Sequence, residues 1–149
     1  MKTYILNTIL VLTVIFLFSA CSIETEPINY GKENCAFCKM TIMDKQFGTE
    51  LVTLKGKVFK FDDLSCMSKY MKTAELHEAD CKHVVVSNFE KQGEFIDFNK
   101  AFFIQSENLQ SQMLGNIAAF DSDTSFQELL KTDSTAKNIT WTEIKDLFK

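Results

Sequence analysis

The stretch Gly56-Lys57-Val58-Phe59-Lys60-Phe61-Asp62-Asp63 decides the fold, because Gly115-Asn116-Ile117-Ala118-Ala119-Phe120-Asp121-Ser122 repeats it at a constant offset of 59 residues. Each copy runs from a glycine turn through a short apolar strand into polar residues suited to capping a helix. The likeness continues into that helix, where Met67 aligns with Phe126 and Tyr70-Met71-Lys72-Thr73 with Leu129-Leu130-Lys131-Thr132. A turn, strand, cap and amphipathic helix occurring twice predict an α+β fold built from two similar β-β-α-type units. Each is too small to bury its own apolar face, so the two are expected to pack together into one globule.

The first copy also organises its surroundings. Lys55-Gly56-Lys57 is a hairpin turn signal between strands over residues 48–54 and 58–61. Val58 and the pair Phe59/Phe61 alternate to opposite faces, so both faces of this sheet are expected to be covered. Asp62-Asp63 offers an N-cap for a helix over residues 64–73, whose apolar positions Leu64, Met67, Tyr70 and Met71 follow the helical period. Met67 therefore reads as core. His83-Val84-Val85-Val86 reads as a buried strand, Gln92-Gly93 as a turn, and Phe95-Ile96-Asp97-Phe98 and Ala101-Phe102-Phe103-Ile104 as further strands ahead of a polar loop, 105–112. Thr140 and Glu143 have capping-box spacing and open a last helix with Ile144, Leu147 and Phe148 inward. His77, in an acidic segment, and His83, beside a strand, read as ordinary polar residues and not as ligands.

Upstream, a lone Lys2 precedes an apolar run over residues 9–18. A run of about ten residues is half of what a bilayer crossing needs, so residues 1–20 read as an export signal. Phe18-Ser19-Ala20-Cys21 has the form of a bacterial lipobox, which makes Cys21 the lipidated first residue of the mature chain. Residues 21–33, which hold the single proline, Pro27, read as a lipid anchor and polar tether. The rest, residues 34–149, has the size of one compact domain, with the two related units at about 34–90 and 91–149. Fourteen Phe and a hydrophobic fraction of 46% suffice for a core. Net charge is −4 and every basic side chain is Lys, which excludes a surface for reading phosphates, so no nucleic-acid partner is expected.

Ahead of the first hairpin stands Asn34-Cys35-Ala36-Phe37-Cys38-Lys39-Met40-Thr41-Ile42-Met43, a C-x-x-C-x-M cluster of soft sulfur ligands. Thiolate and thioether together select Cu(I), whereas zinc takes Cys and His. Other readings stand beside this one. A C-x-x-C is also the unit of thioredoxin-like dithiol oxidoreductases. Cys35, Cys38, Cys66 and Cys81 form a possible structural zinc set, or two disulfides of an exported lipoprotein. Cys66, near the edge of the apolar helix face, reads as a small buried thiol or a secondary metal contact, and Met113 as an edge-of-core residue.

Taken in order, Cys35-x-x-Cys38-x-Met40, residues 56–61 with Phe61-Asp62-Asp63 and Cys66, Ala101-Phe102-Phe103-Ile104, and Met113-x-Gly115 with Ala119-Phe120 resemble the NosL family. The resemblance covers residues 35–121. It implies a fold of two β-β-α-β units and a lipid-anchored accessory protein, not an enzyme. Such a protein carries Cu(I) outside the cytoplasm for building the copper centres of nitrous oxide reductase, with the assembly proteins of that client as partners. By resemblance, Cys38 and Met40 match the family's C-x-M element, Cys35 its upstream cysteine and Met113 its late methionine. The family usually has glycine where Lys39 stands, and Pro and Gly around the late methionine, where this chain has Gln112 and Leu114.

Overall fold

The hairpin forms where Lys55-Gly56-Lys57 places it: β1 (Thr49–Thr53) pairs antiparallel with β2 (Val58–Phe61), and Gly56 turns the chain at φ +78. The computed structural model describes residues 22–148; the expected export signal and the expected lipidation site, Cys21, lie outside the described residues. Helix α1 (Leu64–Thr73) follows β2 with the expected bounds. After a 3₁₀ turn at Glu78–Asp80 the chain returns as β3 (Cys81–Ser87). Then β4 (Phe95–Asp97) pairs with β3, giving a four-stranded antiparallel sheet in the order β2-β1-β3-β4. The first sheet thus runs past the expected unit boundary near residue 90, because the Gln92-Gly93 turn folds β4 back onto β3.

The second unit repeats the plan. β5 (Phe102–Gln105) and β6 (Ile117–Phe120) pair antiparallel, α2 (Asp123–Thr132) follows, and a two-residue β7 (Lys137–Asn138) joins β5. The sequence gives no apolar alternation for β7, which is exposed and held only by its pairing. Helix α3 (Trp141–Leu147) closes the chain with the expected capping box from Thr140 to Glu143.

The two sheets enclose one main core. Leu51, Phe61, Val84 and Val86 face it from the first sheet, and Phe103, Ile117, Ala119 and Ile139 from the second unit. Leu64, Met67 and Met71 of α1 and Ile144 of α3 fill it. Alternate residues of the second sheet, Ile104, Ala118 and Phe120, meet Phe126 of α2 in a smaller core joined by Phe47. Leu147 departs from expectation: it is exposed, because α3 ends there and its core-facing side chains are Trp141, Ile144 and the following Phe148.

The expected tether is also corrected. Glu50 of β1 is 0% exposed on the face away from α1, so something must cover it. Residues 23–33 do so. The Ile23 carbonyl lies 3.0 Å from His83 Nε2, the Glu26 N–H donates to Glu50 Oε1 at 2.9 Å, Ile28 is buried, and the Gly31 N–H donates to the Ile42 carbonyl. Lys60, which pairs with Glu50 across β1 and β2, reaches back to Glu33 at 2.9 Å and to the Pro27 carbonyl at 3.0 Å. Both faces of the first sheet are covered, the outer one by the segment read as free chain.

Candidate metal centre

The C-x-x-C turn sits at the end of the hairpin opposite Gly56. The Ala36 N–H donates to the Lys60 carbonyl at 2.7 Å, fastening the turn to β2, and Asn34 bridges Thr41 across it. The Cys35 N–H donates to the Met40 carbonyl at 2.8 Å, and the Lys39 N–H to the Cys35 carbonyl at 3.1 Å. Lys39 has φ 66, the left-handed region that glycine enters freely and other residues enter at a cost. Its ammonium donates to the Ala36 carbonyl at 2.6 Å. The backbone expected of glycine is therefore kept here by lysine.

Three sulfurs converge at this point. The Sγ atoms of Cys35, Cys38 and Cys66 all lie within 4.8 Å of one another. Cys35 and Cys66 are buried and Cys38 is at the accessible edge. Cys35 accepts from the Cys66 thiol and from the N–H groups of Cys38, Asp62 and Phe37, which pulls it down to about 5. The hydrogen bond given to Cys35, together with burial, pushes Cys66 up, and burial raises Cys38. At neutral pH the cluster is one thiolate beside two thiols, an arrangement that a soft cation can enter by displacing protons. Cys66, read as a secondary contact, is a full member.

Asp62 and Asp63 tie this cluster to the second unit. Both are buried. Asp63 Oδ1 caps α1 by accepting from the Cys66 N–H at 3.0 Å and from Ser65 Oγ at 2.7 Å. Its Oδ2 accepts from Ser111 Oγ at 2.7 Å and from the Gly115 N–H at 3.2 Å. A Cβ on Gly115 would stand 2.7 Å from that oxygen, so only glycine lets the loop approach this closely. The Asp62 carboxylate accepts both from the Met43 N–H and from the Gln112 side-chain amide, at 2.8 Å to each oxygen. Burial, with the Cys35 thiolate next to it, raises Asp62 to about 6.

These bonds pin the loop that carries Met113. Met113 is half-buried and packs against the core that contains Cys35 and Cys66. Leu114 follows at φ 57, again in the conformation expected of glycine, and its side chain is 77% exposed. Met40 is 53% and Met43 58% exposed, so these two thioethers face solvent. Cys81 is apart: it pairs with Thr53, at the far end of β1 from the Thr49–Phe61 pair, about 13 Å away along the strand. That span is too long for a disulfide to the cluster and leaves no fourth thiol for zinc. The C-x-x-C is followed by the Lys39 turn and not by a helix, unlike a thioredoxin-type dithiol. His77 has no place in the cluster, and His83 lies within β3 against Ile23.

Sequence reading missed the second role of Asp62-Asp63. The pair was legible as a cap, but Ser111 and Gly115, its other partners, are far along the chain and carry no local signal.

The fold is shared with known proteins. The family model described as NosL matches residues 28–146. The crystal structure of the copper chaperone NosL from Shewanella denitrificans superposes with a TM-score of 0.67 at 18% identity, covering 82% of this chain and 96% of that one. Among curated proteins no match is found.

Proposed function

This chain belongs to the NosL family, and from that premise we propose that it is a copper chaperone, not an enzyme, held by lipid on Cys21 at the extracytoplasmic, periplasm-facing side of a bacterial membrane. Its cargo is Cu(I), delivered for assembly of the copper sites of nitrous oxide reductase. The observation that carries this reading is the three-sulfur cluster, with the second unit's Met113 loop tied to Asp63, the cap of the helix that holds Cys66. No helix among the described residues is long and apolar enough to cross a membrane.

Cys35, Cys38 and Cys66 supply the thiolates, and Met113 and Met40 the neutral thioethers. Cu(I) is stable with two or three soft ligands, which leaves room for one more. Cys38 and Met40, at the accessible edge, are where an incoming thiolate of the client joins before the buried ligands release. Copper then passes by ligand exchange without becoming a free ion, and no electron moves. Two of the three thiols are protonated at neutral pH, so loading releases protons and affinity rises with pH.

The test is Cu(I) competition against a chromogenic chelator, oxygen-free, with residues 22–149. One tightly held Cu(I) per chain is expected, weakened most by Cys38→Ser and Cys66→Ser and less by Met113→Ala. Binding that no variant changes would overturn the site. Transfer of the bound copper to apo nitrous oxide reductase tests the client.

A further inference from the structure

The segment after Cys21 is docked on the first sheet. It runs over the outer face of the first sheet in step with β1. Ile23 lies at the hairpin end: its carbonyl meets His83, which pairs with Val52, and its side chain comes within 3.7 Å of a Cβ placed on Gly56. Glu26 meets Glu50 midway. Ile28 reaches Gly48 at the opposite end, from which the chain enters the thiol turn. Only Ser22 separates Cys21 from Ile23 in the chain.

We propose that the β1–β2 hairpin tip rests on the surface of the anchoring bilayer, with the sulfur cluster directed away from it. This rests on the reading of Cys21 as lipidated. The exposed tip, Leu54-Lys55-Gly56-Lys57, joins an apolar side chain to two ammonium groups, and Lys82 stands beside it on β3, next to Cys81, the partner of Thr53. Glu24, Glu75, Glu78 and Asp80 are acids near this end, but none lies within the tip itself, whose charged side chains are both lysine. Cations around an apolar side chain suit the interface of a membrane rich in anionic headgroups. The sulfur cluster, beyond Phe61, stands one strand length further out, about 13 Å. Copper is then offered to a soluble client or the exposed domain of one, not to a partner within the bilayer.

Lysine acetylation read by mass spectrometry tests this on the lipidated full chain, bound to phosphatidylcholine vesicles containing phosphatidylglycerol and compared with residues 22–149 free in solution. Lys55, Lys57 and Lys82 should be labelled several-fold more slowly on vesicles, while Lys39 and Lys45, near the cluster, keep their rates. Lys55→Glu with Lys57→Glu should abolish the protection of Lys82 while leaving the acylated chain on the vesicles. Equal labelling of all five lysines, or protection of Lys39 and Lys45 instead, overturns the orientation. An intact mass without acyl groups on Cys21 removes the anchor itself, a failure of the lipidation reading that this mass separates from a wrong orientation.

Discussion

The two units share a plan and differ in what their equivalent positions do. Asp63 aligns with Ser122: the first is buried and accepts four hydrogen bonds, while the second caps α2 by position, with no side-chain bond. Asp62, buried beside a thiolate, aligns with Asp121, which pairs with Lys91 at the surface. Cys66 aligns with Ser125. Helix α1 buries six residues and α2 only Phe126. One scaffold thus carries a chemical site in its first copy and a support in its second. The connection between the paired strands differs too: residues 54–57 form a tight turn, whereas residues 106–116 form a long loop that carries Met113 and delivers Ser111 and Gly115 to Asp63. The second unit thus supplies two of the partners of the cap on α1.

The contrast is best broken at the caps. Asp63→Ala leaves buried donors from both units unpaired and should cost about 3 kcal/mol or more, with Cu(I) affinity falling because the Met113 loop is released. Ser122→Ala should cost under about 0.5 kcal/mol, since no bond is lost. Urea unfolding of both variants checks the difference, and equal losses would deny the asymmetry. A smaller effect comes from the aligned glycines. Gly115→Ala drives a methyl into the Asp63 carboxylate and should cost about 2 kcal/mol. Gly56→Ala, whose methyl would meet Ile23 only at an ordinary 3.7 Å but which stands at positive φ, should cost about 1 kcal/mol. Only the former should weaken copper binding.

Acidity sharpens the comparison further. Burial raises Glu50 to about 7 and Asp62 to about 6, both in the first unit. Their protons are held in the folded state and lost in the unfolded state between about pH 4 and these values, so their contribution to stability falls as pH rises through that window. In the second unit the Ser106 hydroxyl holds Asp133 down to about 2. Its contribution is present above the ordinary Asp value and lost as pH falls from about 4 toward 2. Urea midpoints against pH should therefore show Glu50→Gln flattening the decline toward neutral pH and Asp133→Asn flattening the acid limb.

The smallest effect expected is a gain. Lys39→Gly and Leu114→Gly relieve left-handed strain and should each stabilise by about 0.5–1 kcal/mol after the added chain entropy of glycine. Each should leave Cu(I) stoichiometry unchanged, as the backbone already has glycine's shape. Loss of copper in either variant would mean that the side chain, and not only the turn, serves the site.

Much of this molecule was open to reading from local pattern. The turn at Gly56, the bounds of α1, the Thr140 capping box and the duplication follow from period, propensity and cap chemistry, which act over a few residues and leave their mark there. Membership of the family likewise rests on an ordered set of short motifs. The docking of residues 23–33 escaped because its partners, Glu50, His83 and Lys60, are polar residues whose burial comes only with the tertiary contact. β7 escaped because two exposed residues carry no periodicity. Cys66 was legible as a buried thiol, but its place beside Cys35 and Cys38 depended on how α1 meets the thiol turn. The sequence by itself determined which residues could bind a soft metal and which elements would form, since those follow from side-chain chemistry and short-range backbone preference. The tertiary structure decided which sulfurs meet, which loop is tied to the cap of α1 and how residues 23–33 lie on the first sheet, because these depend on contacts between residues dozens of positions apart.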